Sequence, residues 1–204
     1  RESKYVNGCK VIGICSDDND VDDDDFQIVT NSYEELLKNV DAVYVLSHPK
    51  KHYEHVKKAL MNKKHVICES PIAMTTEQCK ELFDLANEKE CVLMDGIKTA
   101  YSTAYSRLLL LLKGGKIGKV ISVDSTCTSL NVIDVKSKEY MDYTWNSICA
   151  WGPTALLPVF QILGVDYKNR QIVSGFADEN KTFDYFTKVN FIYNDATASI
   201  KVGK

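Results

Sequence analysis

The chain has 204 residues, of which 45% are hydrophobic and 26% charged, a composition typical of a globular protein with a sizeable core. Its formal net charge of -3 argues against nucleic acid as the main partner, because phosphate binding requires a basic surface. We find neither a signal peptide nor an apolar run long enough to cross a bilayer, so we expect a cytoplasmic protein that does not bind membranes.

Strand-like and helix-like segments alternate through the first half of the chain. We predict strands at 11–15, 42–46, 65–69 and 91–94, with helices after Ser32 and over 50–63 and 76–89. Short links between such segments are typical of a parallel, right-handed, doubly wound sheet. The continuous apolar strands further indicate that both sheet faces are covered. We therefore predict an α/β fold that begins with a Rossmann-like dinucleotide-binding domain over residues 1–96.

The pattern changes after Gly96. We predict a helix over 103–113, a strand over 120–130, a helix over 155–163, and strands near 171–177, 183–194 and 196–202. The last three alternate apolar and polar residues, as expected of a largely antiparallel open sheet with one wet face. We therefore predict an α+β domain for substrate binding and oligomerisation over residues 97–204. The glycines between 114 and 118 follow a helix and lead into a strand, so we interpret them as turn residues rather than a phosphate loop.

Neither the cysteines nor the Asp-rich segment at 17–25 indicates a functional site. Seven cysteines form no CxxC pair and mostly lie in apolar runs, which predicts buried free thiols and no metal site. Seven Asp residues lie between 17 and 25, but a calcium loop there would need glycine at Asp23 and glutamate at Val29. We interpret this segment as a hydrated surface loop.

Polar residues follow two of the predicted buried strands, as Ser47-His48-Pro49 and as Glu69-Ser70-Pro71. Ligands of parallel α/β sheets bind at the carboxyl ends of strands, where backbone amides and helix N-termini point outward. These two segments therefore predict one wall of a dinucleotide site. An acid that contacts the ribose is expected about 20 residues after the glycines of such a fold, and Ser16-Asp17 occupies that place.

The chain has no G-x-G-x-x-G motif. If the strand at 11–15 is the second of the fold, the glycines would fall before residue 1. The chain also begins at Arg1 rather than Met and ends in what looks like a shortened strand. We therefore expect a fragment whose two domains are incomplete at the N-terminus and at the C-terminus, respectively.

Several motifs in this order resemble the Gfo/Idh/MocA oxidoreductases: Asp41-Ala42-Val43, the run from Ser47 to His52, Ala59-Leu60, Lys64-His65-Val66, Glu69-Ser70-Pro71, Gly115-Lys116-Ile117-Gly118 and Trp151-Gly152-Pro153. The resemblance implies that the first domain binds NAD or NADP. It implies hydride transfer between the nicotinamide and a secondary alcohol of a sugar, polyol or related small molecule. It also implies a homo-oligomer. The cofactor-binding residues that it implies are Ser16, Asp17, Ser47, His48, His52, Glu69, Ser70 and Pro71.

The sequence departs from the family at its usual chemical positions. Ser70 replaces the lysine that exchanges the proton of the substrate hydroxyl, and a serine is too weak a base to do so without a partner. Ala150 and Thr154 stand where the family often has Asp and then His or Tyr, and Thr154 is kept as a catalytic candidate. We predict that Lys98 supplies the displaced amine and that Tyr101 acts as a donor or orienter. The alternative is that Lys98 is solvated and Tyr101 only packs.

Two functions therefore stand at this point. The first is an NAD(P)-dependent oxidoreductase acting on CH–OH groups, with a proton path through Lys98 or through water and Ser70. The second is a catalytically silent nucleotide-binding regulator or scaffold on the same fold, since a fold does not determine a function.

Overall fold

A computed structural model of the chain describes residues 5–16, 26–130 and 146–204. The Asp-rich loop, with Asp17, lies outside these residues. The first half contains two groups of parallel strands, β1–β2 and β3–β4–β5. Its elements are β1 (Gly13–Cys15), β2 (Ile28–Thr30), α1 (Tyr33–Asn39), β3 (Ala42–Val45), α2 (Pro49–Met61), β4 (His65–Cys68), α3 (Thr76–Glu88) and β5 (Leu93–Asp95). The predicted parallel α/β architecture is confirmed, and β2 is a strand that the sequence analysis missed.

Polar side chains begin these helices, as their sequences predict. Ser32 Oγ accepts a hydrogen bond from Glu35 N, and Thr75 Oγ1 accepts one from Gln78 N at 3.2 Å. Such caps satisfy amides at the start of a helix that have no partner within it. The Glu35 carboxylate accepts a hydrogen bond from Thr30 Oγ1 at 2.6 Å, which also joins α1 to the end of β2.

We expect Thr75→Ala to lower the free energy of unfolding by about 1 kcal/mol, because the Gln78 amide loses its acceptor. Urea denaturation measures the change as a lower midpoint with an unchanged slope. Thr76→Ala, one position inside the same helix, is the matched control and is expected to change little. Equal losses in the two variants would contradict the capping role of Thr75.

Helices α2 and α3 pack on one face of the β3–β4–β5 sheet. Their shared core contains Val43, Val45, Val56, Leu60, Val66, Cys68, Leu82 and Ala86. The other face carries Tyr44 and Ile67, which are 49% and 41% exposed. The prediction that both faces are covered is therefore wrong for the described residues, because every second strand residue points away from the two helices. The spacing of apolar residues in α3 also predicts Phe83 on the face that packs on the sheet, but its side chain is 41% exposed.

The cysteines of the described residues form no disulfide, but most are not fully buried. Cys68 is buried, Cys9 is exposed, and the other five are half-buried. The prediction of buried thiols is correct only for Cys68, because an apolar neighbour in sequence does not determine which face of a strand or helix a residue occupies.

The second half carries a short 3-10 helix and a four-stranded mixed sheet. The elements are the 3-10 helix (Lys98–Tyr101), α4 (Thr103–Lys113), β6 (Ser122–Thr128), α5 (Ser147–Leu163), β7 (Asn169–Phe176), β8 (Asp184–Ile192) and β9 (Thr197–Gly203). The strand order is β6-β9-β8-β7, with β6 parallel to β9 and the other pairs antiparallel. Between α4 and β6, Gly115 and Gly118 have φ values of 67° and 74°, so their predicted role in a turn is confirmed.

Helix α5 covers one face of this sheet, with Ala155, Val159, Phe191 and Ile200 in the shared core. It begins at Ser147, eight residues before the predicted start at 155. Pro153 and Pro158 lie inside it and made a shorter helix the natural prediction. Burial of an apolar helix against a sheet outweighs the cost of the lost backbone hydrogen bonds. None of the helices in the described parts of the chain is long and apolar enough to span a membrane.

Candidate active site at the carboxyl edge of the parallel sheet

The carboxyl ends of β3, β4 and β5 lie side by side. Val45 is in register with Cys68, and Cys68 is in register with Asp95. Two further backbone hydrogen bonds extend the sheet into the loops, from Glu69 N to Val45 O at 3.0 Å and from Gly96 N to Cys68 O at 2.7 Å. The segments that follow the three strands are thereby brought together, as the sequence predicted for the first two.

Gly96 permits the close approach of β4 and β5 at this edge. A Cβ atom on Gly96 would lie 3.1 Å from the Cys68 carbonyl oxygen and 3.3 Å from Glu69 Cα. Such contacts are tighter than a side chain normally tolerates, so any other residue would push the two strand ends apart.

Glu69 is held by the exposed face of the sheet. The Tyr44 hydroxyl donates a short hydrogen bond to Glu69 Oε1. Burial, together with this bond to Glu69, raises the pKa of Tyr44 to about 12, so the phenol stays a donor at neutral pH. The carboxylate predicted to lie beside the nicotinamide therefore has a defined position.

The buried His52 ring connects the segment that follows β3 with the segment that follows β4. Its side chain is 1% exposed, with Nδ1 2.8 Å from Pro71 O and Nε2 2.6 Å from Ser47 O. The structure therefore shows His52 as a buried tie between the segments that follow β3 and β4. Direct contact of His52 with a cofactor remains a prediction, and its buried ring argues for an indirect role.

Ser47 and His48 lie where β3 passes into α2. The Ser47 hydroxyl is 2.9 Å from His55 Nδ1, and burial, followed by the positive charge of Lys51, lowers the pKa of His55. His48 is the N-cap of α2, and its Nδ1 accepts a hydrogen bond from Lys50 N at 3.3 Å. Both predicted cofactor residues therefore stand at a helix N-terminus, a position suited to an anionic ligand.

Ser70 and Asp95 are half-buried residues of this edge, and each has one polar atom that is inaccessible to solvent. These atoms, Ser70 Oγ and Asp95 Oδ1, make no hydrogen bond of ordinary geometry in the described structure. Burial raises the pKa of Asp95, while the nearby Ser70 hydroxyl and Ile97 amide act in the opposite direction. The Ser70–Pro71 peptide bond is cis. Sequence reasoning missed Asp95, although an acid directly at the end of a buried strand was an available signal.

The predicted catalytic residues are only partly brought together. The Tyr101 hydroxyl donates to the Asp95 carbonyl oxygen at 2.8 Å, so Tyr101 is attached to the end of β5. Lys98 is exposed on the 3-10 helix. Thr154 is half-buried on α5, and no hydrogen bond within the described ranges joins it to this edge. Ser16 follows β1, where its amide donates to Thr30 O at 3.1 Å, and Asp17 lies outside the described residues.

Comparison with known proteins identifies the class of this domain. Residues 5–97 match the family model described as "Oxidoreductase family, NAD-binding Rossmann fold". Residues 5–97 thus match the NAD-binding domain of the Gfo/Idh/MocA oxidoreductases, as the motifs predicted, and the predicted nicotinamide cofactor class is confirmed.

Three similar proteins illustrate the range of the family. An uncharacterized oxidoreductase of Schizosaccharomyces pombe is 34% identical over 100 residues, 48% of this chain and 27% of that protein. A trans-1,2-dihydrobenzene-1,2-diol dehydrogenase of Xenopus laevis is 35% identical over 91 residues, 44% and 28% of the two chains. The structure of myo-inositol 2-dehydrogenase from Lactobacillus plantarum matches with a TM-score of 0.84 at 14% identity and covers 98% of this chain and 64% of that one.

These matches cover the relatives only in part. The aligned segments are under a third of the two curated relatives, and the chain spans about two thirds of the inositol dehydrogenase structure. At 14% identity, the structural match supports the fold of nearly the whole chain and no particular activity.

Proposed function

We propose that the protein is an NAD(P)-dependent oxidoreductase that oxidises a secondary alcohol of a sugar, a polyol or a related small molecule, or catalyses the reverse reduction. The observation that carries the proposal is the carboxyl edge of the parallel sheet in an NAD-binding family. There, Glu69 and Ser70 follow β4, Asp95 ends the neighbouring strand β5, and Ser70 and Asp95 each have one buried side-chain oxygen.

The name of one similar protein favours the polyol class. The relative from Xenopus laevis acts on a trans-1,2-diol, which carries hydroxyl groups on neighbouring carbon atoms. A substrate of this kind offers a second hydroxyl for orientation beside the one that is oxidised. Positioning of this kind supplies much of the rate acceleration of an enzyme.

The residues of the carboxyl edge fit a dinucleotide. Helix α2 begins at this edge with Ser47 and His48 before it and would accept an anionic group at its N-terminus. Glu69, Ser70 and Pro71 would contact the nicotinamide end. The cofactor supplies the hydride acceptor or donor when it is bound. The tasks left to the chain are to orient the alcohol, exclude water and hold the proton that leaves the hydroxyl.

The predicted catalytic residues Lys98, Tyr101 and Thr154 remain predictions. Tyr101 has the clearest geometry, because its hydroxyl donates to the Asp95 carbonyl oxygen at 2.8 Å, at the end of β5.

Ser70 in place of the family lysine is the observation that favours the second candidate, a nucleotide-binding regulator without turnover. The choice between NAD and NADP and the homo-oligomer remain predictions as well.

We expect NADH or NADPH to bind with an increase in nicotinamide fluorescence. We further expect at least one member of a panel of 1,2-diols, inositols and aldoses to reduce NAD+ or NADP+, followed by the absorbance of the reduced cofactor. Simple secondary alcohols without a neighbouring hydroxyl serve as controls for the substrate class. Cofactor binding without turnover on the whole panel would contradict the oxidoreductase and support the regulator. Failure to bind either nucleotide would contradict both.

A further inference from the structure

We propose that Asp95 is the residue that takes up the proton of the substrate hydroxyl, in place of the lysine that Ser70 replaces. This inference rests on the proposed function. It begins from position: Asp95 is the last residue of β5, in register with Cys68, and therefore stands beside the segment from Glu69 to Pro71.

The surroundings of Asp95 suit a group that exchanges a proton. One carboxyl oxygen, Oδ1, and the Ser70 hydroxyl are buried and make no hydrogen bond of ordinary geometry in the described structure, although the hydroxyl lies close enough to lower the pKa of the carboxyl group. Buried polar atoms without well-formed hydrogen bonds are rare in folded proteins, so this pair indicates a place where another molecule can complete the network. The residue as a whole is only half-buried, which leaves a path for a substrate.

The groups that face Asp95 explain its proton affinity. Desolvation raises the pKa of Asp95 most, and the negative charge of Glu69 acts in the same direction. Ser70, the Ile97 amide and the His52 ring lower it. The thiols of Cys68 and Cys79 also lie close, and burial followed by the charge of Asp95 raises the pKa of each. A carboxylate whose pKa is shifted toward neutrality is a more effective base for an alcohol than an ordinary one.

The proposed step balances with NAD(P)+ as the oxidant. The carbinol hydrogen leaves with its electron pair to C4 of the nicotinamide, and the electrons of the O–H bond form the carbonyl. The proton of the hydroxyl passes to the Asp95 carboxylate. Tyr101 is attached to the Asp95 carbonyl oxygen and keeps the 3-10 helix against the end of β5. Lys98 projects from that helix and is exposed, in contrast to Asp95.

The test compares Asp95→Asn with Asp84→Asn, which changes an exposed aspartate of α3, and with Lys98→Met. We expect Asp95→Asn to lower kcat by about 100-fold or more while NADH affinity is retained, since general-base catalysis contributes 10² to 10⁴ in rate. In the native protein, kcat/KM for oxidation should rise with pH through the pKa of Asp95, because the base must be deprotonated. This rise of kcat/KM with pH should be absent in Asp95→Asn. Asp95→Glu should restore part of the activity, with the rise at a different pH.

A second measurement does not depend on turnover. Carbon-13 NMR of the aspartate carboxyl groups without cofactor should show one group that titrates above the usual range and disappears in Asp95→Asn. A midpoint in the usual range, or normal turnover of Asp95→Asn, would overturn the role of Asp95 alone. A loss confined to Lys98→Met would also overturn it and would favour the amine. If the native protein binds NADH but turns over no polyol, the proposed function fails, and the role of Asp95 fails with it.

Discussion

Replacing His52 with leucine is expected to lower the free energy of unfolding by about 1 to 3 kcal/mol, because a part-buried carbonyl oxygen loses its ring N–H donor. The two ring nitrogens lie 2.6 and 2.8 Å from the carbonyl oxygens of Ser47 and Pro71, and a neutral ring donates to one of them. Leucine has nearly the volume of histidine, so the substitution removes the polar contacts and leaves little cavity. The loss is measured from the midpoint of urea unfolding.

The same variant should also weaken the site. Without the ring, Ser47 and Pro71 lose the side chain that bridges them, so both can shift although the hydrogen bond from Glu69 N to Val45 O remains. We expect NADH affinity to fall together with stability. Glu54→Leu, an exposed change on the same helix, is the control, and His52→Gln should recover part of the stability through its amide donor. An unchanged unfolding midpoint for His52→Leu would show that the two contacts contribute nothing.

The sequence was sufficient to predict the parallel sheet because the strands and helices of the first half have clear and different periods. Val43 and Val45 point into one core with Val66 and Cys68, and the alternation with amphipathic helices specifies their parallel arrangement. Strand β2 was missed because its apolar run, Ile28-Val29, is only two residues long, whereas longer apolar runs surround the equally short β1 and β5. The extent of α5 was missed for another reason, since Pro153 and Pro158 are local breakers that burial against the sheet overrides.

The candidate site was predictable in position and less so in chemistry. The strand ends at Ser47 and Glu69 are visible as polar residues after apolar strands. The parallel topology then brings both ends to the same edge of the sheet. The buried state of His52 depends on two backbone carbonyls distant from it in sequence, at Ser47 and Pro71. Asp95 resembles any acid that ends a strand until its desolvation and its neighbours are known. The burial of a side chain and the groups around it arise from tertiary structure, so the spacing of residues along the sequence does not predict them.

Replacing Asp184 with leucine is expected to lower the free energy of unfolding by about 3 kcal/mol, because a buried hydrogen-bond network loses its central acceptor and leaves its donors unpaired. Asp184 is 3% exposed, and its Oδ2 accepts from the Thr187 hydroxyl at 2.7 Å. Since the hydrogen of Thr187 points to Asp184, Ser174 is the donor in the 2.7 Å contact between the two hydroxyls. Oδ1 accepts a long hydrogen bond from Ile148 N in the first turn of α5.

The substitution should loosen the contact between β8 and the first turn of α5. It should also remove a favourable negative charge near the half-buried amine of Lys204, whose pKa is lowered by burial and raised by Asp184. Helix α5 carries Thr154, so a shift of its first turn would also move that catalytic candidate. Ser174→Ala removes only the outer hydroxyl of the chain of bonds and should cost about 1 kcal/mol, which makes it the graded control. Asp184→Asn keeps an acceptor for Ile148 N and should lie between the two. Equal unfolding midpoints for Asp184→Leu and Ser174→Ala would mean that the carboxylate does not hold α5 to the sheet.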